Sequence, residues 1–378
     1  MPVTLIVEPD PGGHRFQAVA NVAELAGRDG DVTLLTSTGA SSGAEFGVYL
    51  ATADLDVREV YDRTYPPTRT MADEIARYCR EHDVSTVLIM DADQSLKRWW
   101  YAAPLAFRGL PRRPRVIFML TRYPAKLRLK DRFGWALRVS KATLAILAMA
   151  TGTLHRVAGF AGREDMSRGW LVKRARDPAI CTAHARDRAA IRAALDLPAD
   201  RSLVGVFGVM SMRKNAPLIL DSILASESDA DFVIAGLVKP DVAAWLDGLA
   251  PKVRARIIVR DGYLDNDLLD RLVAAVDVVI IALTNNGPSG IMGKALAAGV
   301  PVVSAGSEVR ARELAATAGG ESAELTVGGL AAAIQRVLDA DPAQARRSSV
   351  PPATAEEFAA VLLGVDRAAA GPRMRRRG

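Results

Sequence analysis

Reactive sulfur is scarce in this 378-residue chain, which has two cysteines, Cys79 and Cys181. They lie far apart in sequence, so neither a disulfide framework nor a cysteine zinc site follows, and a reducing cytoplasm fits. No basic n-region precedes the first apolar run. Residues 1–8 read directly as a strand, and no signal peptide is expected. The longest apolar stretch, residues 142–150, is too short to cross a bilayer. No short repeat is present. Acidic residues are nearly missing from one region: between Lys97 and Lys141 thirteen basic residues face one acid, Asp131. That segment carries +12, so the rest of the chain sums to −6 against a total of +6. A second basic cluster, Arg373, Arg375, Arg376 and Arg377, ends the sequence.

What is present suffices for a large core. Hydrophobic residues make up 49% of the chain and charged residues 24%, which describes a globular protein whose length favours two domains. Abundant alanine and arginine suggest a high-GC bacterial gene. Apolar runs at 3–7, 32–35, 86–90 and 116–120 read as strands, with helical spacing at 17–26 and 71–82 between them. The second half repeats the theme, with strands at 203–207, 232–235, 256–259, 278–283 and 301–304. Helical patterns cover 217–224, 266–276, 293–298 and 330–338 there, and a last one covers 355–363. This alternation predicts an α/β fold with parallel sheets covered on both faces, as two Rossmann-like domains facing a central cleft. The polar stretch 174–200 is the expected linker. The predicted domains are 1–180 and 181–350, followed by a returning helix and basic tail over 351–378.

The most informative stretch runs from Asn285 to Val303. It follows a buried-strand pattern, opens with the glycine turn Gly287-Pro288-Ser289-Gly290, and continues as a small-residue helix stopped by Gly299. Strand, glycine turn and helix N-terminus point free backbone N–H groups at one spot, which suits a phosphate or a polyhydroxy ligand. Gly12 and Gly13, with His14 behind them, form a similar turn after the first strand, where backbone N–H groups can approach a diphosphate. Arg213 and Lys214 follow the first strand of the second half and could neutralise a pyrophosphate leaving group. Asp91 and Asp93 follow the third strand, where carboxylates could bind hydroxyls or act as a base. Glu308 and Arg310 come after the last strand, beside Gly306 and Ser307. Dull readings stand beside each of these: packing turns, capping, and solvated charges.

These segments resemble the GT-B glycosyltransferases, specifically the retaining, family 4-like type (glycosyl transferases group 1). The phrase Arg192-Ala193-Ala194-Leu195-Asp196-Leu197-Pro198-Ala199-Asp200, then Gly208 with Arg213-Lys214-Asn215, is similar to the opening of that family's C-terminal domain. Gly262-Tyr263-Leu264-Asp265-Asn266-Asp267-Leu268-Leu269 is similar to its step before the donor strand, and Ala295 to Val303 matches its closing phrase. The carboxylates differ: the two motif glutamates fall on Asn286 and Lys294, and the arginine after the first C-domain glycine falls on Val209.

The resemblance implies a hexosyltransferase-like enzyme that moves a sugar from a nucleotide-sugar to a small-molecule or lipid acceptor, with retention. It implies no metal and no cofactor beyond the nucleotide-sugar co-substrate. Lys214, Arg213 and Asn286 become the expected catalytic residues, with Lys214 at the phosphate-binding lysine. Gly12, Gly13, Gly287, Pro288, Ser289, Gly290 and Lys294 become donor-binding, and His14, Asp91 and Asp93 acceptor-binding. Lys294 either rebuilds donor recognition or is a structural lysine paired with a neighbouring carboxylate. Two rivals remain: a non-catalytic sugar-nucleotide-binding module, favoured by the missing glutamates, and a sugar-nucleotide epimerase. No nucleic-acid partner is expected. Trp99, Trp100 and Tyr101 among the clustered cations fit peripheral contact with an anionic membrane, or an anionic acceptor. The alternative there is a solvated arginine-rich face.

Overall fold

The computed structural model describes residues 2–12, 15–121, 123, 132–285, 289–341 and 347–365. The expected site residues Gly13, His14, Asn286, Gly287 and Pro288 lie outside the described residues, as do Arg122, Lys126, Arg128 and Lys130. The chain forms two compact units: Met1–Ala161 with Asp165–Asp177 and Thr354–Gly378, and Gly162–Glu164 with Pro178–Ala353. The three residues Gly162–Glu164 thus join the second unit from within the first, which no linear boundary describes.

The first unit holds seven parallel strands: β1 (Val3–Val7), β2 (Asp31–Ser37), β3 (Asp56–Tyr61), β4 (Val84–Ile89), β5 (Arg115–Leu120), β6 (Arg156–Ala161) and β7 (Val172–Arg176). Their order is β3-β2-β1-β4-β5-β6-β7, with Val7 of β1 opposite Leu35 and Ile89. Side chains alternate between faces because successive strand residues point opposite ways. Leu5, Val7, Val87, Ile89 and Phe118 pack under the helices Thr68–Glu81, Leu96–Ala106 and Arg132–Ala150. Ile6, Leu34, Leu88, Ile117 and Met119 pack under Arg15–Ala26 and Ala355–Leu363. The last helix therefore returns to the first unit, where Phe358 stacks on Phe160 with ring centroids 5.4 Å apart.

Two readings of the sequence change here. The stretch 174–200 is not wholly linker: Arg174 and Arg176 belong to β7, and Arg188–Ala194 is a helix. The apolar stretch 142–150 is the end of a 19-residue helix, Arg132–Ala150, which is long and apolar enough to cross a membrane. It does not stand free, because Gly134, Lys141, Ala145 and Ala148 are buried in the unit.

The second unit holds six parallel strands: β8 (Leu203–Phe207), β9 (Asp231–Gly236), β10 (Ile257–Asp261), β11 (Val278–Ala282), β12 (Val302–Ala305) and β13 (Gly320–Ala323), ordered β10-β9-β8-β11-β12-β13. Val204, Val206, Phe232, Ile234, Val278 and Ile280 form one apolar layer, while Leu203, Phe207, Val233, Val279 and Ile281 form the other. Each such side chain, fully buried, stabilises the unit by about 1.5–3 kcal/mol, so these two layers outweigh the surface ion pairs. Both sheets reverse their strand order once, between β1 and β4 and between β8 and β11. In open parallel sheets the crevice beyond such a reversal is where ligands bind.

Candidate functional site

In the second unit the reversal is an actual opening. Strands β8 and β11 share two register pairs, Val204 with Val278 and Gly205 with Val279. Beyond them lies a small cavity of about 40 Å³, lined by Phe207, Ala282, Leu283, Ser289 and Lys214 among others. Two side chains satisfy the strand-end carbonyls: the Lys214 ammonium donates to the Phe207 carbonyl, and Asn215 Nδ2 donates to the Ala282 carbonyl at 2.8 Å. The turn that delivers them needs Gly208 at φ 90° and Asn215 at φ 55°, both in the left-handed region. Burial pushes the Lys214 ammonium down to about 8. Among the described residues no carboxylate stands within ion-pair distance of it. One carbonyl uses one of three ammonium protons, so donors remain for an anion. Arg213 is exposed beside it.

The far wall of this cavity is the helix Gly290–Ala298. Ser289 caps it, its Oγ accepting from the Met292 N–H at 3.3 Å. Gly290 is the first residue of that helix, so the helix N-terminus faces the cavity with its positive end. Arg310, 1% exposed, holds the chain leaving β11: it donates to the Asn285 carbonyl at 2.8 Å and to the Leu283 carbonyl. Arg163, on the three-residue excursion, donates to Glu313 at 2.8 Å and lies 3.4 Å from the Ser289 carbonyl. Lys294 is ion-paired. Its ammonium is 2.5 Å from Asp270, both side chains are buried, and Asp270 also accepts from Thr182 N and Oγ1. That pairing is the geometry expected of the structural reading of this lysine.

The first unit places a second pocket at its own reversal. A small open pocket of about 20 Å³ is lined by Glu8 beyond β1, Asp91 beyond β4, Arg15, Tyr65 and Gln94. Arg15 sits amid three carboxylates: Asp91 at 2.7 Å, Asp10 at 3.3 Å and Glu8 at 3.5 Å. Tyr65 donates to Asp10 at 3.0 Å. Glu8 is 2% exposed, and burial raises its carboxyl to about 8 despite the neighbouring Arg15. Such a set can hydrogen-bond hydroxyl groups and holds a protonated carboxyl, and its surplus of carboxylates disfavours phosphate. The Gly12 N–H, expected to approach a diphosphate, is given to Asp10 Oδ1 at 3.0 Å. Asp93 is not among the residues lining that pocket. Lys141 lies 2.5 Å from it and Thr121 donates to it through N and Oγ1, so it ties the helix Arg132–Ala150 to the end of β5. Asp91 does line the pocket.

Sequence reasoning missed Glu8, Arg15, Tyr65 and Arg163. Glu8 left a signal, an acid directly after the apolar first strand. Tyr65 and Arg163 left none, being brought in from distant segments. Among the described residues, no group of three or more His, Cys, Asp or Glu side chains is arranged to hold a metal ion.

Two doubly wound parallel sheets, each opening at its strand-order reversal, define a two-domain α/β protein of the GT-B fold. Residues 201–340, within the second unit, match the family described as glycosyl transferases group 1. No curated protein matches the chain by sequence. Solved structures share the fold. A glycosyltransferase from Rickettsia africae is 13% identical, with 96% of this chain and 93% of that one covered and a TM-score of 0.65. Anabaena HepE in complex with UDP-glucose is 15% identical, with 96% and 95% covered and a TM-score of 0.60. A UDP-GlcNAc 2-epimerase from Methanocaldococcus jannaschii is 11% identical, with 96% and 100% covered and a TM-score of 0.58.

Proposed function

We propose that the protein is a glycosyltransferase whose second unit binds a nucleotide-sugar at the β8–β11 opening and whose first unit binds the acceptor at the Glu8–Asp91 pocket. The observation that carries this reading is Lys214, an ammonium in a cavity without a carboxylate partner among the described residues, opposite a helix N-terminus. A diphosphate supplies the missing charge. Lys214, with Arg213 nearby and the N–H groups around Ser289 and Gly290, stabilises the charge that develops as the sugar–phosphate bond breaks. The acceptor hydroxyl forms the new bond to the anomeric carbon on the face the diphosphate leaves, and gives its proton to the departing phosphate. Retention follows from that same-side attack, and no metal is required. Asp91 and Glu8 orient the acceptor's hydroxyls, and a hexosyl donor is the expected class. The UDP-glucose bound to Anabaena HepE makes UDP-sugars the first donors to test.

The test is a thermal-shift screen with UDP-, GDP- and ADP-sugars. A donor at about a hundred times its dissociation constant should add roughly 2.7 kcal/mol of stability. No shift with any donor would count against the reading. A second reading, a binding module without turnover, is favoured by Lys294, which stands at a family glutamate position and is committed to Asp270. Donor binding without slow donor hydrolysis would move that reading ahead.

A further inference from the structure

We propose that the outward face of the helices Leu96–Ala106 and Arg132–Ala150 docks on an anionic lipid bilayer, with both helices lying flat in the headgroup region. This stands independently of the glycosyl-transfer reading.

Both helices run back along the same face of the first sheet and pack against each other, so their outward stripes form one surface. The helix Arg132–Ala150 buries Gly134, Lys141, Ala145 and Ala148 on one side. On the other it exposes Phe133 (80%), Trp135, Val139 (59%), Ile146 and Leu147. Those residues recur at helical spacing along a rod of about 28 Å. Beside them, Trp100, Tyr101 and Leu105 of the neighbouring helix are exposed as well. Trp99 is not part of this surface; it is fully buried and its Nε1 donates to the Thr153 carbonyl at 3.0 Å.

Charge selects the occupant. Lys97, Arg98 and Arg132 stand at the starts of the two helices, Arg138 lies in the second turn of the longer one, and Arg108, Arg112 and Arg113 follow the end of the first. From Lys97 to Ala150 the sequence has one acid, Asp131. Apolar side chains and Trp/Tyr rings between flanking cations suit the boundary between acyl chains and anionic headgroups. A second copy of this surface would bring like charges together. The helix cannot leave the unit to span the membrane without breaking the Lys141–Asp93 pair and exposing its packed side.

The experiment is vesicle flotation with phosphatidylcholine alone and with about a third phosphatidylglycerol. Binding should be at least tenfold stronger to the anionic vesicles, fall at high salt, and shift tryptophan emission to the blue. Val139→Glu with Ile146→Glu should lose at least tenfold in partitioning while keeping the wild-type unfolding midpoint. Ile146→Ser with Leu147→Ser is the milder pair if the glutamates unfold the helix. Equal, low binding to both vesicles would overturn the proposal, as would full binding by a folded variant. Lipid-free dimers that these variants dissolve would instead assign the face to a second copy.

Discussion

Glu8 and Lys214 are both held where burial opposes their charge, one at the end of the first strand of each unit. Glu8 is neutral over much of the physiological range because burial raises its carboxyl to about 8. The folded value lies above the unfolded one, so its contribution to stability is present in full below the unfolded value of 4.5 and is lost as pH rises toward 8. The first unit of the wild type should therefore lose stability relative to Glu8→Gln between pH 5 and 8, with a slope approaching about 1.4 kcal/mol per pH unit. Denaturant unfolding of both proteins at several pH values measures this. Parallel stability profiles would mean that the carboxyl ionises freely. Lys214 has the opposite linkage, because its folded value is lowered. The unfolded chain binds more protons above about 8, so this residue destabilises the free protein less as pH rises.

The elements around the proposed donor cavity show where local rules give way to packing. Gly293 lies inside the helix Gly290–Ala298, where alanine is ordinarily worth about 1 kcal/mol more than glycine. A Cβ there would stand 2.3 Å from the Arg163 guanidinium, which is buried and paired with Glu313. Gly293→Ala should thus destabilise the second unit by about 1–3 kcal/mol instead of stabilising it. A raised unfolding midpoint in that variant would show that Arg163 moves aside at little cost. Ser289 allows an ordinary forecast: Ser289→Ala removes a helix cap and should cost about 1 kcal/mol. The apolar runs of β1, β4, β5, β8 and β11 were legible because these strands are buried on both faces. Strand β3 was not legible, being a largely exposed edge of sequence DVREVY. Strand β7 was misread because its arginines look like linker. Arg176 is buried against Glu357 at 2.5 Å, and Arg174 lies over the Tyr123 ring at 5.4 Å.

At the scale of the molecule, one plan is used twice with opposite polarity. Each unit opens at the reversal beside its first strand. The first opening collects Glu8, Asp10 and Asp91 around one arginine, while the second presents Lys214 and a helix N-terminus. Lys214 and Asp91, each lining a pocket, could be singled out in the sequence because they follow strands that announce themselves. The roles of Lys294 and Asp93 were not, because each depends on a partner brought close by folding: Asp270 for one, Lys141 for the other. The division of charge is the basis for assigning the donor to the second unit and the acceptor to the first.

That assignment is tested most directly by calorimetry of the nucleotide-sugar that stabilises the protein most, from pH 6.5 to 9.5, on wild type and Lys214→Met. The diphosphate of such a sugar does not itself titrate in this range, and the variant corrects for ionisation of the base at the alkaline end. Wild-type binding should take up a proton near the lysine's value of about 8 and weaken above it, approaching tenfold per pH unit. The variant should bind at least about tenfold more weakly at neutral pH, as expected for a lost charged hydrogen bond of about 1.5–3 kcal/mol, and show no such slope. Equal affinity and the same pH profile in both proteins would contradict the placement of the donor diphosphate at Lys214.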